Sequence, residues 1–390
     1  MIPWLTAAQS KREQLIAWRR DFHRHPELAY AEERTASIVA AHLERLGYRV
    51  RTGVGRTGVV GVLEGARPGP VVMVRFDMDA LPITEETGAE YASTIPGRMH
   101  ACGHDGHVAM GMGLAELLTE IRDRMAGAVK LVFQPAEEGG NGAEAMIRDG
   151  VLEDPRPDVF LAAHLWADRP VGSVDVTPGP VMAAAERWVC TVHGQGGHGA
   201  LPHQTVDPIV AAAHMVCALQ TVVSRNVSPL ETAVVTVGAI HGGDAFNVIP
   251  AQVEMSGTIR TYEPSAREVA IRRVREVLEG VAGAFGARAE VTIVSLTPAV
   301  INDPKVTSVV RQAAEAILGP ERVTSGERTM GSEDAAFFLR QVPGCYFFVG
   351  AANPARGLGA PHHNPRFDFD EEAMEIGLAV LAQAIGLYLL

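Results

Sequence analysis

The chain has 390 residues, 47% of them hydrophobic and 21% charged, with a formal net charge of −12. That length suggests two or three domains with ample material for a core, and the negative charge repels phosphate backbones, which argues against a nucleic-acid partner. Four scattered cysteines, at positions 102, 190, 217 and 345, fit a reducing compartment better than a disulfide framework.

The N-terminus, Met1-Ile2-Pro3-Trp4-Leu5-Thr6, has no basic patch ahead of an apolar run, so no signal peptide is expected. Residues 32–47 carry Ile38, Val39, Leu43 and Leu46, a helical stripe stopped by Gly47. The runs 57–63 and 71–76 are β-branched and short, as in strands buried on both faces. The spacing predicts a helix over 104–121, with glycines that let it pack closely, and strands at 128–133 and 158–163. Such alternation implies an α/β fold with a mostly parallel sheet.

The texture changes near Pro178-Gly179-Pro180. Trp188, Cys190 and Val192 alternate along 187–193, and helices are expected over 205–223 and 266–284. Strands are expected at 232–239, 252–259 and 291–295. This β-α-β-β-α-β set is a compact α+β unit of its own. From about residue 300 the α/β texture resumes, with helices over 306–318 and from 371, and a strand over 345–349. The final apolar segment is shorter than a membrane span and reads as a buried helix, so no membrane partner and a cytoplasmic protein are expected. The domain reading is 1–182, an inserted smaller domain at 183–297, and 298–390.

The run Met99-His100-Ala101-Cys102-Gly103-His104-Asp105 sets a soft thiolate and an imidazole two residues apart, and Glu137-Glu138 follows. Such donors suit a divalent transition metal. Three apolar strands run into acids or a histidine: 71–76 into Asp77 and Asp79, 129–133 into Glu137 and Glu138, 159–163 into His164. Ligands bind beyond the carboxyl ends of strands in open α/β sheets, so these groups are expected to converge there. A fourth element, Pro361-His362-His363-Asn364-Pro365, adds two histidines in a turn-rich loop. Taken singly each has an ordinary reading: a buried thiol, a helix start, an N-cap at Asp77 or Asp79, a surface loop. Adjacent side chains of an extended segment point opposite ways, so one glutamate can bind metal while the other moves protons. Spacing does not decide which does which.

These residues resemble the aminoacylase/carboxypeptidase family of dinuclear metallohydrolases, in its N-acyl-amino-acid amidohydrolase branch. The resemblance runs from His23-Arg24-His25-Pro26-Glu27-Leu28 through Asp77 to Pro82, His100 to Asp105, Gln134 to Glu138 and Gly194 to His203. It continues over Asn247 to Pro250, Gly257 to Arg260, Gly331 to Asp334 and His363-Asn364-Pro365. It implies two divalent ions per subunit (manganese, zinc, nickel or cobalt) held by Cys102, His104, Glu138, His164 and His363, with Cys102 bridging. It implies Glu137 as the general base and Asp77 behind the ligands, orienting one of them or tuning its basicity. Other branches have a histidine ligand where this chain has Arg75; here His104 is expected to serve instead, and of His362 and His363 the Asn-Pro that follows favours His363. The resemblance also makes the insertion a lid and dimerisation module in a homodimer, with His198 reaching the partner's site to stabilise an oxyanion. Asn247 and Arg260 would contact the substrate. The expected reaction is hydrolysis of N-acyl-amino acids to a carboxylate and a free amino acid. Dipeptidase or carboxypeptidase activity on the same site is the alternative. A metal-binding protein without catalysis is disfavoured by the presence of Glu137, and a cysteine hydrolase by the lack of base geometry between Cys102 and His104.

Overall fold

The structure, a computed structural model, describes residues 2–390. The chain divides into two compact units. One comprises the residues up to Gly179 with Ile301–Glu327 and Asp334–Leu390; the other comprises Pro180–Val300 and Arg328–Glu333. The short return segment had no signature in the sequence, because what ties it to the insertion is long-range: Thr329 N–H donates to Val181 O at 3.0 Å, and Ala183 N–H to Gly331 O at 2.9 Å.

In the larger unit an eight-stranded sheet begins β1 (Arg49–Val54), β2 (Gly58–Glu64), β4 (Ala126–Gln134), β3 (Arg67–Asp77) and β5 (Val159–Pro170). It continues through Gly344–Ala352, Val174–Asp175 and Val323–Thr324. β3 pairs in parallel with β4 and β5, and β5 with Gly344–Ala352. The β1–β2–β4 edge is antiparallel. β1 escaped the sequence reading because Val54 is its one buried residue, so it shows no apolar pattern.

Two helices fill the core against this sheet, His104–Glu120 and Glu372–Leu389. Both are apolar nearly all round, as a helix covered on every side must be. Gly111 lets the first lie close: a Cβ there would fall 2.7 Å from the rings of Phe133 and Phe76. The C-terminal helix has its side chains from Ala373 to Ala382 buried, in line with the expected core role.

β5 is longer than the sequence suggested. Its pairing with β3 ends at Arg75↔Ala162, but on the other edge Phe348↔His164 and Gly350↔Trp166 continue the ladder. His164 therefore lies inside a strand, not beyond its end. From Leu165 onward the β3-side edge of β5 is open.

The smaller unit is a four-stranded antiparallel sheet in the order Ala233–His241, Gln252–Thr261, Ala184–His193, Arg288–Thr297. Helices Pro208–Asn226 and Pro264–Ala284 pack on each other and on the sheet. Trp188, Cys190 and Val192, on one face as expected, form its core with Met215, Leu219, Met255, Val274 and Leu278.

Candidate metal centre

Gly103 separates Cys102 from His104 and has φ +91°, a conformation that costs an L side chain energy but leaves glycine unstrained. The loop turns there and the His104–Glu120 helix begins. His104, fully buried, donates Nδ1–H to Asp79 O at 2.8 Å, so in the neutral ring Nε2 is the nitrogen left with a lone pair. Among the described residues that Nε2 has no hydrogen-bond partner; Asp77 Oδ2 lies 3.5 Å from it.

The glutamate pair does not divide its roles by strand alternation, as expected from sequence. β4 ends at Gln134, Ala136 adopts φ 54° and ψ 43°, and Glu137 opens a single irregular turn in which Glu138 is already non-helical. Left-handed geometry at a non-glycine residue is a local strain that its surroundings must hold. Two buried acids do so. Glu32 Oε1 accepts from Ala136 N–H at 2.8 Å. Asp79 accepts from Glu137 N–H at 3.1 Å through Oδ1 and from Glu138 N–H at 2.9 Å through Oδ2. Asp79, one of the acids expected at the metal edge, is thus the backbone clamp for both glutamates.

On β5, His164 donates Nδ1–H to Leu165 O at 2.8 Å and aims Nε2 at Cys102 Sγ, 3.6 Å away. Burial, reinforced by His107 and His362, holds its pKa well below the usual histidine value, so the ring is neutral. His107 has both nitrogens engaged: Nδ1–H meets Asp77 Oδ1 at 2.5 Å, and Nε2 accepts from Leu165 N–H at 3.0 Å. The sequence reading missed His107, although its position three residues after His104 puts both on one helix face. His362 resembles it, with Nε2 accepting from Ala167 N–H at 3.1 Å and Nδ1 3.8 Å from Cys102 Sγ. Burial, then His363, push the pKa of His362 down to about 3. His363 sets Nε2 3.1 Å from Glu138 Oε1.

Asp77 is fully buried and receives Arg75 Nη1 at 2.6 Å on Oδ2, the oxygen that lies 3.5 Å from His104 Nε2. Burial alone would raise its pKa, but Arg75, His104 and His107 hold it well below the usual carboxylate range. Arg75 also donates Nε–H to Gln134 Oε1 at 2.8 Å and Nη2–H to Asp334 Oδ1 at 3.3 Å. The residue standing where other branches have a ligand is therefore a buried structural cation.

The donors fall into two sets of three that share a sulfur: Cys102, His104 and His164 in one, Cys102, Glu138 and His363 in the other, each within 4.8 Å. Glu137 lies within the same distance of His104 and Glu138. The sets suit cations. Burial tends to lower the His104 pKa, yet Asp77 and Cys102 raise it well above normal; side-chain contacts with Cys102 and Glu138 push His363 up to about 10. Burial pushes the Cys102 thiol pKa up in the metal-free site, and a divalent ion held by these donors would displace the protons that the thiol and the two imidazoles otherwise keep. All five expected donors are brought together, with Glu137 and Asp77 beside them.

The other three expected residues lie in the smaller unit. His198 pairs across a two-stranded ribbon with Val248, and Gly199 N–H donates to Asn247 O at 2.8 Å, so His198 and Asn247 share one exposed loop cluster. Arg260 stands on the Gln252–Thr261 strand, half-buried, with Thr258 Oγ1 and Ile259 O as acceptors.

Residues 73–386 match the model of the peptidase family M20/M25/M40. The chain belongs to that family. It is 42% identical to a putative amidohydrolase, YhaA, of Bacillus subtilis over 96% of this chain and 95% of that one. It is 40% identical to an N-acetyl-L-cysteine deacetylase of the same organism over 93% and 85%. Among solved structures, the Bacillus subtilis YxeP protein, a dinuclear metal-binding peptidase of the M20 family, superposes with a TM-score of 0.85 at 34% identity, covering 97% and 99% of the two chains. The chain is therefore a hydrolase of the metallo-amidohydrolase kind with a mostly parallel α/β core, and the candidate donors fit a divalent-metal site.

Proposed function

We propose that the protein cleaves the amide bond of N-acyl-amino acids, releasing a carboxylate and a free amino acid, with two divalent ions in its site. The observation that carries this reading is the pair of donor sets sharing Cys102, with the Glu137 carboxylate beside them. Cys102, His104 and His164 would hold one ion and Cys102, Glu138 and His363 the other. When bound, the ions supply Lewis acidity and bring the pKa of a water near neutrality. Glu137 is half-buried and its backbone is fixed by Asp79, so its carboxylate is placed to take a proton from the attacking water and deliver it to the leaving nitrogen. Asp77 balances charge beside His104, while Asp79 O orients that ring through Nδ1–H. The Arg260 guanidinium suits the free carboxylate of an acyl amino acid, with Asn247 as a second contact. His198 stabilises the oxyanion from a partner subunit of a homodimer.

The similarity to an N-acetyl-L-cysteine deacetylase supports an acyl amino acid as substrate. The test is elemental analysis of the isolated protein, with turnover measured on benzoyl-, acetyl- and aminoacyl-amino acids. Hydrolysis of the acyl compounds, abolished by chelator and restored by manganese, zinc, nickel or cobalt, is expected. Cleavage of the aminoacyl compounds alone would favour a dipeptidase.

A further inference from the structure

His107 and His362 solve one problem in the same way. Where β3 has left β5, the N–H groups of Leu165 and Ala167 find no strand on that edge, since alternate residues of a strand face the same neighbour. A buried N–H without an acceptor is costly. The Nε2 atoms of the two histidines take the place of carbonyls, at 3.0 and 3.1 Å. A neutral imidazole that accepts at Nε2 must carry its proton on Nδ1. For His107 that proton goes to Asp77. For His362, Nδ1 faces Cys102, whose Sγ lies at 3.8 Å, within the range of an N–H···S bond, and whose backbone carbonyl is a competing acceptor. The ring is held in place by Trp166 and Phe367, with centroids at 4.7 and 5.0 Å, and meets His164 edge-on at 5.2 Å.

We infer that His362 is a positioning residue that donates Nδ1–H to the sulfur of Cys102, orienting the thiolate and drawing electron density from it. The inference rests on Cys102 being the donor common to both metal sets. His362 is not itself a metal donor, because its one ring lone pair is spent on Ala167 N–H. A thiolate shared by two cations must direct its lone pairs two ways. A fixed N–H on the remaining side restricts its rotation, which favours metal binding, and draws charge from the sulfur, which sets the energy of the charge-transfer band.

The experiment uses the full chain loaded with cobalt(II), reading the sulfur-to-cobalt charge-transfer band and the cobalt affinity. His362→Gln keeps an acceptor for Ala167 N–H but has no donor near sulfur. His362→Asn keeps an amide N–H close to the Nδ1 position. In His362→Gln the band is expected to move to longer wavelength and cobalt affinity to fall about tenfold. In His362→Asn the band is expected to stay near that of the parent. Identical bands in the parent and both variants would overturn the inference and assign Nδ1–H to the Cys102 backbone, which also bonds the ring. Equal shifts in Gln and Asn would likewise overturn it, since the donor would then be irrelevant. A cobalt-loaded parent with no sulfur band would overturn the shared-sulfur reading itself, a failure distinct from the other two.

Discussion

Arg75 and Asp77 sit two residues apart on β3, both buried, with Nη1 and Oδ2 2.6 Å apart. Side chains at i and i+2 of a strand share a face, so the pair is built into the local geometry. The same Asp77 carboxylate supports His104 and His107. Breaking a buried ion pair from one side strands the other charge, at about 3–5 kcal/mol. Arg75→Met is expected to lose stability in that range, read by urea denaturation of the metal-free chain. Arg75→Lys should lie between, because an ammonium cannot serve Asp77, Gln134 and Asp334 as the planar fork does. A fully stable Arg75→Met would show that the pair is not needed for the fold.

Glu137→Gln should keep the parent's metal content while the rate constant for amide hydrolysis falls by about 10²–10⁴. The amide preserves size and hydrogen bonding but accepts no proton. Parallel elemental analysis and kinetics check this; an unchanged rate would remove Glu137 from the proton path.

Gly103→Ala introduces a Cβ at φ +91° without a clash, since no neighbour lies nearer than 3.7 Å. The cost is conformational, about 1–2 kcal/mol. If the backbone relaxes instead, Cys102 and His104 separate and metal affinity drops. Thermal melting with and without added manganese distinguishes the two: a smaller metal-induced rise in Tm than in the parent marks separated donors.

Lys130 is buried on β4 and donates to Val151 O at 2.8 Å and Glu153 O at 2.7 Å. Burial, aided by Arg51, pushes its pKa down to about 8. The unfolded chain, titrating near 10.4, then binds more protons than the folded one between about pH 8 and 10, so this group makes stability rise with pH in that window. Lys130→Met should abolish the rise, whatever its effect on stability at pH 7. Chemical denaturation at pH 7.5, 8.5 and 9.5 would reveal it, and parallel pH curves for parent and variant would refute it.

The proposed contribution of His198 across a homodimer predicts subunit complementation. Glu137→Gln and His198→Ala proteins, each impaired alone, should recover up to about a quarter of parent activity when mixed and exchanged, because each mixed dimer contains one site with both residues intact. Light scattering on the same samples establishes the oligomer. A fully active monomer would exclude a role from the partner.

The donor types, their order and the strands that carry them were legible in the sequence. Alternation and β-branched runs report burial residue by residue, and Cys102-Gly103-His104, Glu137-Glu138 and His164 are chemically conspicuous wherever they fall. Tertiary structure alone decided which histidine nitrogens are free. His362 and His363 are adjacent in the chain, yet one answers an unpaired N–H on β5 while the other faces Glu138. It also decided that Asp79 clamps the glutamates and that Arg75 is a buried counter-charge. Those roles depend on where β3 parts from β5 and on which backbone groups are left wanting partners. Apart from the Arg75–Asp77 pair, which strand geometry sets locally, these contacts join residues tens to hundreds of positions apart, and no local pattern of side chains encodes them.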